Sequence, residues 1–170
     1  MSDFHKEMKE MEEWRQLVGT AILSFGDIEF ITLKCLAHLP SDKIFKSMSG
    51  LPFSCRVDLI IEILQSRSSL PRHAEVLINK LQRAKALSEY RNVIAHNPLL
   101  LDVYLIKAND DLRFEHAISS ARSREKTIDL ASLKELSAEI EDLAAELYLV
   151  LGKIVEEIEE NSNVQRKSDA

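Results

Sequence analysis

The segment RNVIAHNP places strong hydrogen-bonding side chains where an apolar helical pattern comes to its end. Arginine keeps its positive charge and can bind two oxygens of an anion at once. Histidine exchanges protons near neutral pH. Arg91, Asn92 and His96 can therefore form a site, or they can simply close a helix. In the second reading His96 interacts with the helix dipole, while Asn97 and Pro98 stop the helix.

The helix that carries these residues is predicted to run from Pro71 to about Asn97. Its inward stripe is apolar and consists of Ala74, Leu77, Ile78, Leu81 and Ala84. At about 100° per residue, the same line continues through three small residues, Ser88, Asn92 and Ala95. Arg91 and His96 lie on either side of that line. In the last two turns of the helix, the stripe therefore changes from apolar to polar.

The spacing of the three polar residues predicts which of them are neighbours. Asn92 and His96 are four residues apart and lie on one face of a helix. Arg91 and His96 are five apart, so a regular helix points them to opposite margins of the stripe. Within one chain they meet only if the helix end distorts. A second copy of the helix, packed antiparallel across this face, would also bring them together.

The other predicted elements are mostly helices. They cover residues 4–39, as one long helix or two joined helices, a short segment that begins at Ser41, residues 54–66, and residues 130–160. The helix over 130–160 carries one apolar stripe with steps of three and four residues, formed by Leu133, Leu136, Ile140, Leu143, Leu147, Val150, Ile154 and Ile158. Residues 100–118 combine two β-prone stretches with a turn-like ANDD and predict a hairpin. The following ARSREKT is interpreted as a polar, basic connection. The predicted fold class is all-α: an antiparallel bundle of four to five helices with a small β-hairpin inserted before the last helix.

Length and composition are typical of a soluble globular protein. The 170 residues include 45% hydrophobic and 29% charged residues. We expect a single helical domain over residues 4–160 and a disordered tail over 161–170. The formal charge of −6 argues against broad, non-specific binding to nucleic acid, which usually requires a basic face. A small local basic site remains compatible with that charge.

Cysteines, metal ligands and targeting segments carry little functional signal. Cys35 and Cys55 stand among apolar residues and are predicted to be reduced and buried. The histidines outside the RNVIAHNP segment lack a ligand spacing, so no metal or other cofactor is expected. They are His5, His38, His73 and His116. The acidic start and the lack of a long apolar run indicate a cytoplasmic protein without a membrane span.

The segment RNVIAHN, late in a long helix of an all-helical chain, resembles the signature of the HEPN superfamily. In that signature an arginine is followed after four to six residues by a histidine, often with a polar residue directly after the arginine. Arg91, Asn92 and His96 occupy these places. The resemblance also extends to the helical architecture between Trp14 and Glu160.

The resemblance implies a metal-independent endoribonuclease that works as a homodimer, in the role of a toxin or an antiviral defence effector. A composite site at the dimer interface would then contain Arg91, Asn92 and His96. His96 would move protons at the 2′-hydroxyl and the leaving oxygen, and Arg91 would hold the phosphate. Asn92 would orient His96 or the phosphate. An antitoxin or a nucleotidyltransferase is a possible partner.

Further residues of the same helix are candidates for substrate contact, and they are Lys85, Ser88 and Tyr90. One alternative function is a non-catalytic HEPN-like helical dimer that acts as an interaction or nucleotide-binding module. The negative charge favours that alternative, and the intact motif favours the enzyme. A plain helical scaffold is a third reading. The acidic last helix is read either as a solvated face or as a surface for a basic partner.

Overall fold

The computed structural model describes residues 2–39, 48–66, 71–106, 111–120 and 123–168. These residues form four helices and three strands. The helices are α1 (Ser2–His38), α2 (Phe53–Gln65), α3 (Ala74–His96) and α4 (Leu130–Ser168). The strands are β1 (Leu99–Ile106), β2 (Asp111–Ser120) and β3 (Ser123–Asp129). The predicted class, a helical bundle with a small sheet before the last helix, is confirmed. Most of the short helix predicted from Ser41 lies outside the described residues.

The sheet contains the predicted hairpin and one strand more. β1 pairs with β2, and β2 pairs with β3, both antiparallel. The prediction that ARSREKT is only a connection was therefore wrong for its later part. Ile128 of β3 lies opposite Ile118 of β2, and both side chains are buried. A single buried isoleucine among polar residues is too weak an alternation to identify a strand from sequence.

The chain divides into two compact units, and each combines two separated segments. The first comprises residues 1–24 and 88–141, and the second comprises 25–87 and 142–170. Helices α1 and α4 contribute to both units, as does α3. The predicted single domain over residues 4–160 is not tested by this division and stays a prediction.

In the first unit, the beginning of α1 contacts both the sheet and the beginning of α4. The Nδ1 atom of His116 on β2 lies 3.1 Å from a carboxylate oxygen of Glu10. Lys134 of α4 forms an ion pair with Glu13 over 2.7 Å. Asp129 begins α4 as an N-cap, because its carboxylate accepts the Ser132 backbone N–H over 2.7 Å. This bond holds the pKa of the Asp129 carboxyl below its ordinary value.

In the second unit, a buried arginine ties α1 to α2. The Arg56 Nε donates to the Thr32 hydroxyl, and its Nη1 donates to the Leu51 carbonyl, each over 3.0 Å. Glu29 lies 3.8 Å from Nη2 of the same guanidinium. The Thr32 hydroxyl in turn donates to the Glu29 carbonyl over 2.6 Å. Arg56 is only 8% exposed. Burying its charge without these hydrogen bonds would cost free energy.

The helical stripes predicted from sequence form much of the core. On α3 all five predicted inward residues are buried, and on α4 the buried residues include Leu133, Ile140, Leu147 and Ile154. The helix α4 extends past the end predicted near Glu160 and includes most of the segment predicted as a disordered tail. Cys35 is buried, and its burial raises the pKa of its thiol to about 12. The predicted burial of Cys55 was wrong, because the core face of α2 leaves Cys55 on the exposed side.

Candidate active site

The last two turns of α3 bury different residues from those predicted. Val93 and Ile94 are 7% and 5% exposed, whereas Asn92 and Ala95 are exposed. Ser88 is half-buried. The expectation that Asn92 and Ala95 continue the core stripe was therefore wrong for a single chain. Val93 and Ile94, which are next to Asn92 and Ala95 in the sequence, are buried instead. The buried face of α3 is therefore rotated around the helix axis by roughly one residue, or about 100°.

Asn92 and His96 lie together on the exposed side of α3. Four residues of helix separate them by about 40° around the axis. Both side chains are exposed. Within the described residues, neither side chain forms a hydrogen bond or an ion pair. Two adjacent polar groups, one able to transfer a proton and the other able to donate and accept hydrogen bonds, are thus left open to a ligand.

The helix is closed by the residue that follows His96. The Asn97 side-chain amide donates to the Val93 carbonyl over 2.9 Å. That bond satisfies one of the carbonyls left without a partner at a helix C-terminus. Pro98 then lacks the N–H needed to extend the helix. This agrees with the reading in which Asn97 and Pro98 stop the helix.

Arg91 differs from its two candidate partners in being half-buried. Its Nε atom is buried within the protein, so the base of the guanidinium is held against the protein. The helix stays regular up to His96, and this excludes the helix-end distortion considered from sequence. Arg91 and His96 are then about 140° apart around the axis. One copy of α3 therefore presents the two residues on different sides.

The candidate substrate-binding residues have different surroundings. The Lys85 ammonium pairs with the Asp58 carboxylate of α2 over 2.6 Å. Ser88 is half-buried, and Tyr90 is 44% exposed. Tyr90 therefore offers an open aromatic side chain directly before Arg91, whereas Lys85 is already engaged with an acid. A role in substrate binding stays a prediction for all three residues.

The described ranges contain neither a cluster of metal ligands nor a membrane-spanning helix. These ranges contain no group of three or more His, Cys, Asp or Glu side chains that could hold a metal ion. None of their helices combines the length and apolar character required for a transmembrane span.

Comparison with known proteins assigns no family to this chain. No protein-family model matches the chain. No curated protein and no solved structure shows a significant match either.

Proposed function

We propose that this chain is a metal-independent endoribonuclease of the HEPN type, acting in the cytoplasm as a homodimer. In this proposal Arg91, Asn92 and His96 form a composite site at the dimer interface. Defence or toxin activity is the corresponding biological role. An antitoxin or a nucleotidyltransferase would be the corresponding partner.

One observation carries the proposal. Asn92 and His96 are adjacent and exposed at the end of α3, and neither side chain has a partner among the described residues. The structural task expected at this position, closing the helix, belongs to Asn97. A histidine needed only to end the helix would interact with its last carbonyls. The pair is therefore accessible to a substrate, as the proposal requires.

The residue types match the proton transfers of RNA cleavage. A neutral imidazole at His96 takes the proton of the ribose 2′-hydroxyl, and the 2′-oxygen attacks the adjacent phosphorus. The bond from phosphorus to the 5′-oxygen breaks, and the same imidazole, now protonated, supplies the proton of that leaving oxygen. A 2′,3′-cyclic phosphate and a 5′-hydroxyl result. The Arg91 guanidinium neutralises charge on the phosphate oxygens in the transition state.

The need for two copies follows from the helix geometry. Arg91 and His96 point about 140° apart on a regular helix, so one chain does not aim both at the same phosphate. An antiparallel second copy of α3 would place Arg91 of one subunit near His96 of the other, as a twofold interface requires. Asn92 and Ala95 are small and exposed, and they allow a close approach along this face.

A matched pair of histidines tests the proposal. His38 is exposed at the end of α1, as His96 is exposed at the end of α3. In excess chelator, the wild type and His38→Ala should cleave single-stranded RNA, and the products should end in a 2′,3′-cyclic phosphate. His96→Ala should lose at least about a hundredfold in rate, as expected for a general acid–base residue. Equal activity of His96→Ala and the wild type would refute the proposed site.

The non-catalytic dimer is the second candidate, and the charge distribution favours it. The chain carries a net charge of −6. Two lysines of α3 that would otherwise attract RNA are paired with acids: Lys80 with Glu146 and Lys85 with Asp58. This alternative would be supported by a stable dimer that neither binds nor cleaves RNA and that dissociates when Ala95 is replaced by tryptophan.

A further inference from the structure

The C-terminal half of α4 carries an apolar patch on the side away from its core stripe. Tyr148 and Leu149 are 70% and 64% exposed. Ala145 and Gly152 are exposed beside them, and Val155 is half-buried. We refer to these five residues as the α4 patch. Large apolar side chains exposed as a contiguous group, rather than singly, mark interaction sites.

The spacing of the α4 patch suits another helix. Ala145, Tyr148, Gly152 and Val155 alternate in steps of three and four residues, which is the pattern along which two helices pack side by side. The core of the same unit already uses the opposite stripe of α4, which includes Leu147, Val150, Leu151 and Ile154. The helix thus carries a second apolar stripe, whose large side chains Tyr148 and Leu149 are mostly exposed.

Gly152 lies within the α4 patch and has no side chain. A methyl group placed on its Cα would meet no atom within 4 Å. Alanine would therefore fit without a clash, and it would strengthen the helix because glycine loses more backbone freedom on folding. The absence of a side chain between Tyr148 and Val155 leaves a notch that allows the backbone or a side chain of a partner to approach closely.

The charges around the α4 patch decide what kind of partner fits. Asp142 and Glu156 flank it on the open side of the helix, and Glu141 and Glu159 lie at its two ends. The exposed Lys153 lies on the same flank, so four negative charges and one positive charge leave these five groups with a summed charge of −3. These four carboxylates form no ion pair with any described residue. If a second copy packed antiparallel on the patch, Asp142 of each copy would lie near Glu156 of the other, which places like charges together. A partner that carries positive charge on its flanks would neutralise them.

We propose that the α4 patch binds a helical segment of another protein that carries apolar residues at three- and four-residue spacing, flanked by lysine or arginine. The apolar residues pack against Tyr148 and Leu149 and enter the notch at Gly152. The flanking cations pair with Asp142 and Glu156. This binding uses none of the residues of the proposed ribonuclease site and does not depend on catalysis.

The test compares two synthetic helical peptides that share one leucine stripe at this spacing. One peptide has lysines on both flanks, and the other has glutamates at the same positions. Fluorescence anisotropy measures their affinities for the full chain. The lysine peptide should bind at least about tenfold more tightly than the glutamate peptide, and its affinity should fall as salt is raised. Equal affinities would overturn the proposed partner chemistry.

Substitutions locate the binding on the chain. Tyr148→Ala and Leu149→Ala should each lower the affinity for the lysine peptide by about tenfold, as expected for a contact at the centre of an interface. Leu23→Ala is the matched control, because Leu23 is 73% exposed on α1 and should leave the affinity unchanged. A loss of affinity with Leu23→Ala but not with the two α4 variants would overturn the assignment.

Substitution at the notch should change stability and peptide affinity in opposite directions. Gly152→Ala should raise the melting temperature by about 1–3 °C and at the same time weaken the lysine peptide by about tenfold. Gly26→Ala is the control on α1, where added atoms also meet nothing within 4 Å; it should stabilise the helix without affecting the peptide. A wild-type homodimer that Leu149→Ala dissociates in sedimentation would instead make a second copy the occupant and overturn the proposal.

Discussion

The Asn97 side chain donates a hydrogen bond to the Val93 carbonyl over 2.9 Å and thereby closes α3, whose last residue is His96. This bond separates two tasks that look alike in the sequence. Asn97 stabilises the helix end, while Asn92 and His96 on the preceding turns have no partner among the described residues. Stability and function are therefore expected to respond to different substitutions within six consecutive positions.

Two asparagines of α3 provide the first prediction. Asn97→Ala removes the bond to Val93 and should lower the free energy of unfolding by about 1 kcal/mol. Asn92→Ala removes an exposed amide without a partner, so its effect should stay within about 0.5 kcal/mol. Urea unfolding followed by circular dichroism measures both. A larger loss for Asn92→Ala than for Asn97→Ala would contradict the assigned roles.

The second prediction concerns Arg91 and phosphate binding. In a His96→Ala background, which keeps the RNA intact, Arg91→Ala should weaken RNA binding by about tenfold. Arg91→Lys should give an intermediate affinity, because it keeps the charge but loses the planar group that contacts two oxygens. Arg72→Ala, at an exposed arginine, is the control and should bind as the parent does. Binding that depends equally on Arg72 would indicate unspecific attraction to charge.

The N-cap of α4 gives a prediction for pH. The pKa of Asp129 is lowered by the hydrogen bonds that its carboxylate accepts from Ser132. Its contribution to stability should therefore be complete above the ordinary pKa of an aspartate and disappear as the pH falls through the lowered folded-state value. Asp129→Ala should cost about 1 kcal/mol at neutral pH and nothing in strong acid. A cost that is the same at both pH values would exclude the charged cap.

The buried Arg56 gives a prediction for the second unit. Arg56→Ala removes the two 3.0 Å hydrogen bonds to Thr32 and Leu51 and leaves Glu29 without this partner. We expect a loss of about 3 kcal/mol, as for a broken buried charge pair. Arg15→Ala is the matched control, since the Arg15–Glu12 pair is exposed and worth at most about 0.5 kcal/mol. Similar losses from both variants in urea unfolding would contradict the network.

Much of the helical fold could be predicted because each long helix buries one continuous apolar stripe. The stripes of α3 and α4 were read from steps of three and four residues, and the burial of Leu77, Leu81, Leu133 and Ile140 confirms them. The strand β3 could not be read in this way, because among its residues only Ile128 is apolar. Its pairing depends on β2, which is tertiary information that local sequence does not contain.

The candidate site could be predicted in its residues but not in its surroundings. The positions of Asn92 and His96 on one face follow from four-residue spacing alone. The burial of Val93 and Ile94 was missed, because a stripe extrapolated at a fixed angle does not follow a core that turns around the helix. Leu81 and Ala84 are fully buried in one chain, so covering the core stripe does not require a second copy. The composite site now depends on the directions of Arg91 and His96.

The dimer face itself gives a further prediction. Ala95 is exposed on α3 beside His96, so a large side chain there should obstruct close packing of two copies without disturbing the core. Ala95→Trp should therefore convert a wild-type dimer into a folded monomer and remove cleavage at the same time. Sedimentation and circular dichroism measure the two properties. Ala86→Trp, at another exposed alanine of α3, is the control and should remain a dimer.

Mixing two inactive variants tests the composite site most directly. Arg91→Ala and His96→Ala should each lose nearly all RNA cleavage alone. When the two variants are combined in equal amounts and exchange subunits, half of the dimers should contain one subunit of each variant. Each of these dimers would have one intact pairing of Arg91 with His96. Cleavage should therefore return to about one quarter of the wild-type rate. A mixture that stays as inactive as its components, while native mass spectrometry shows mixed dimers, would contradict a site shared between two chains.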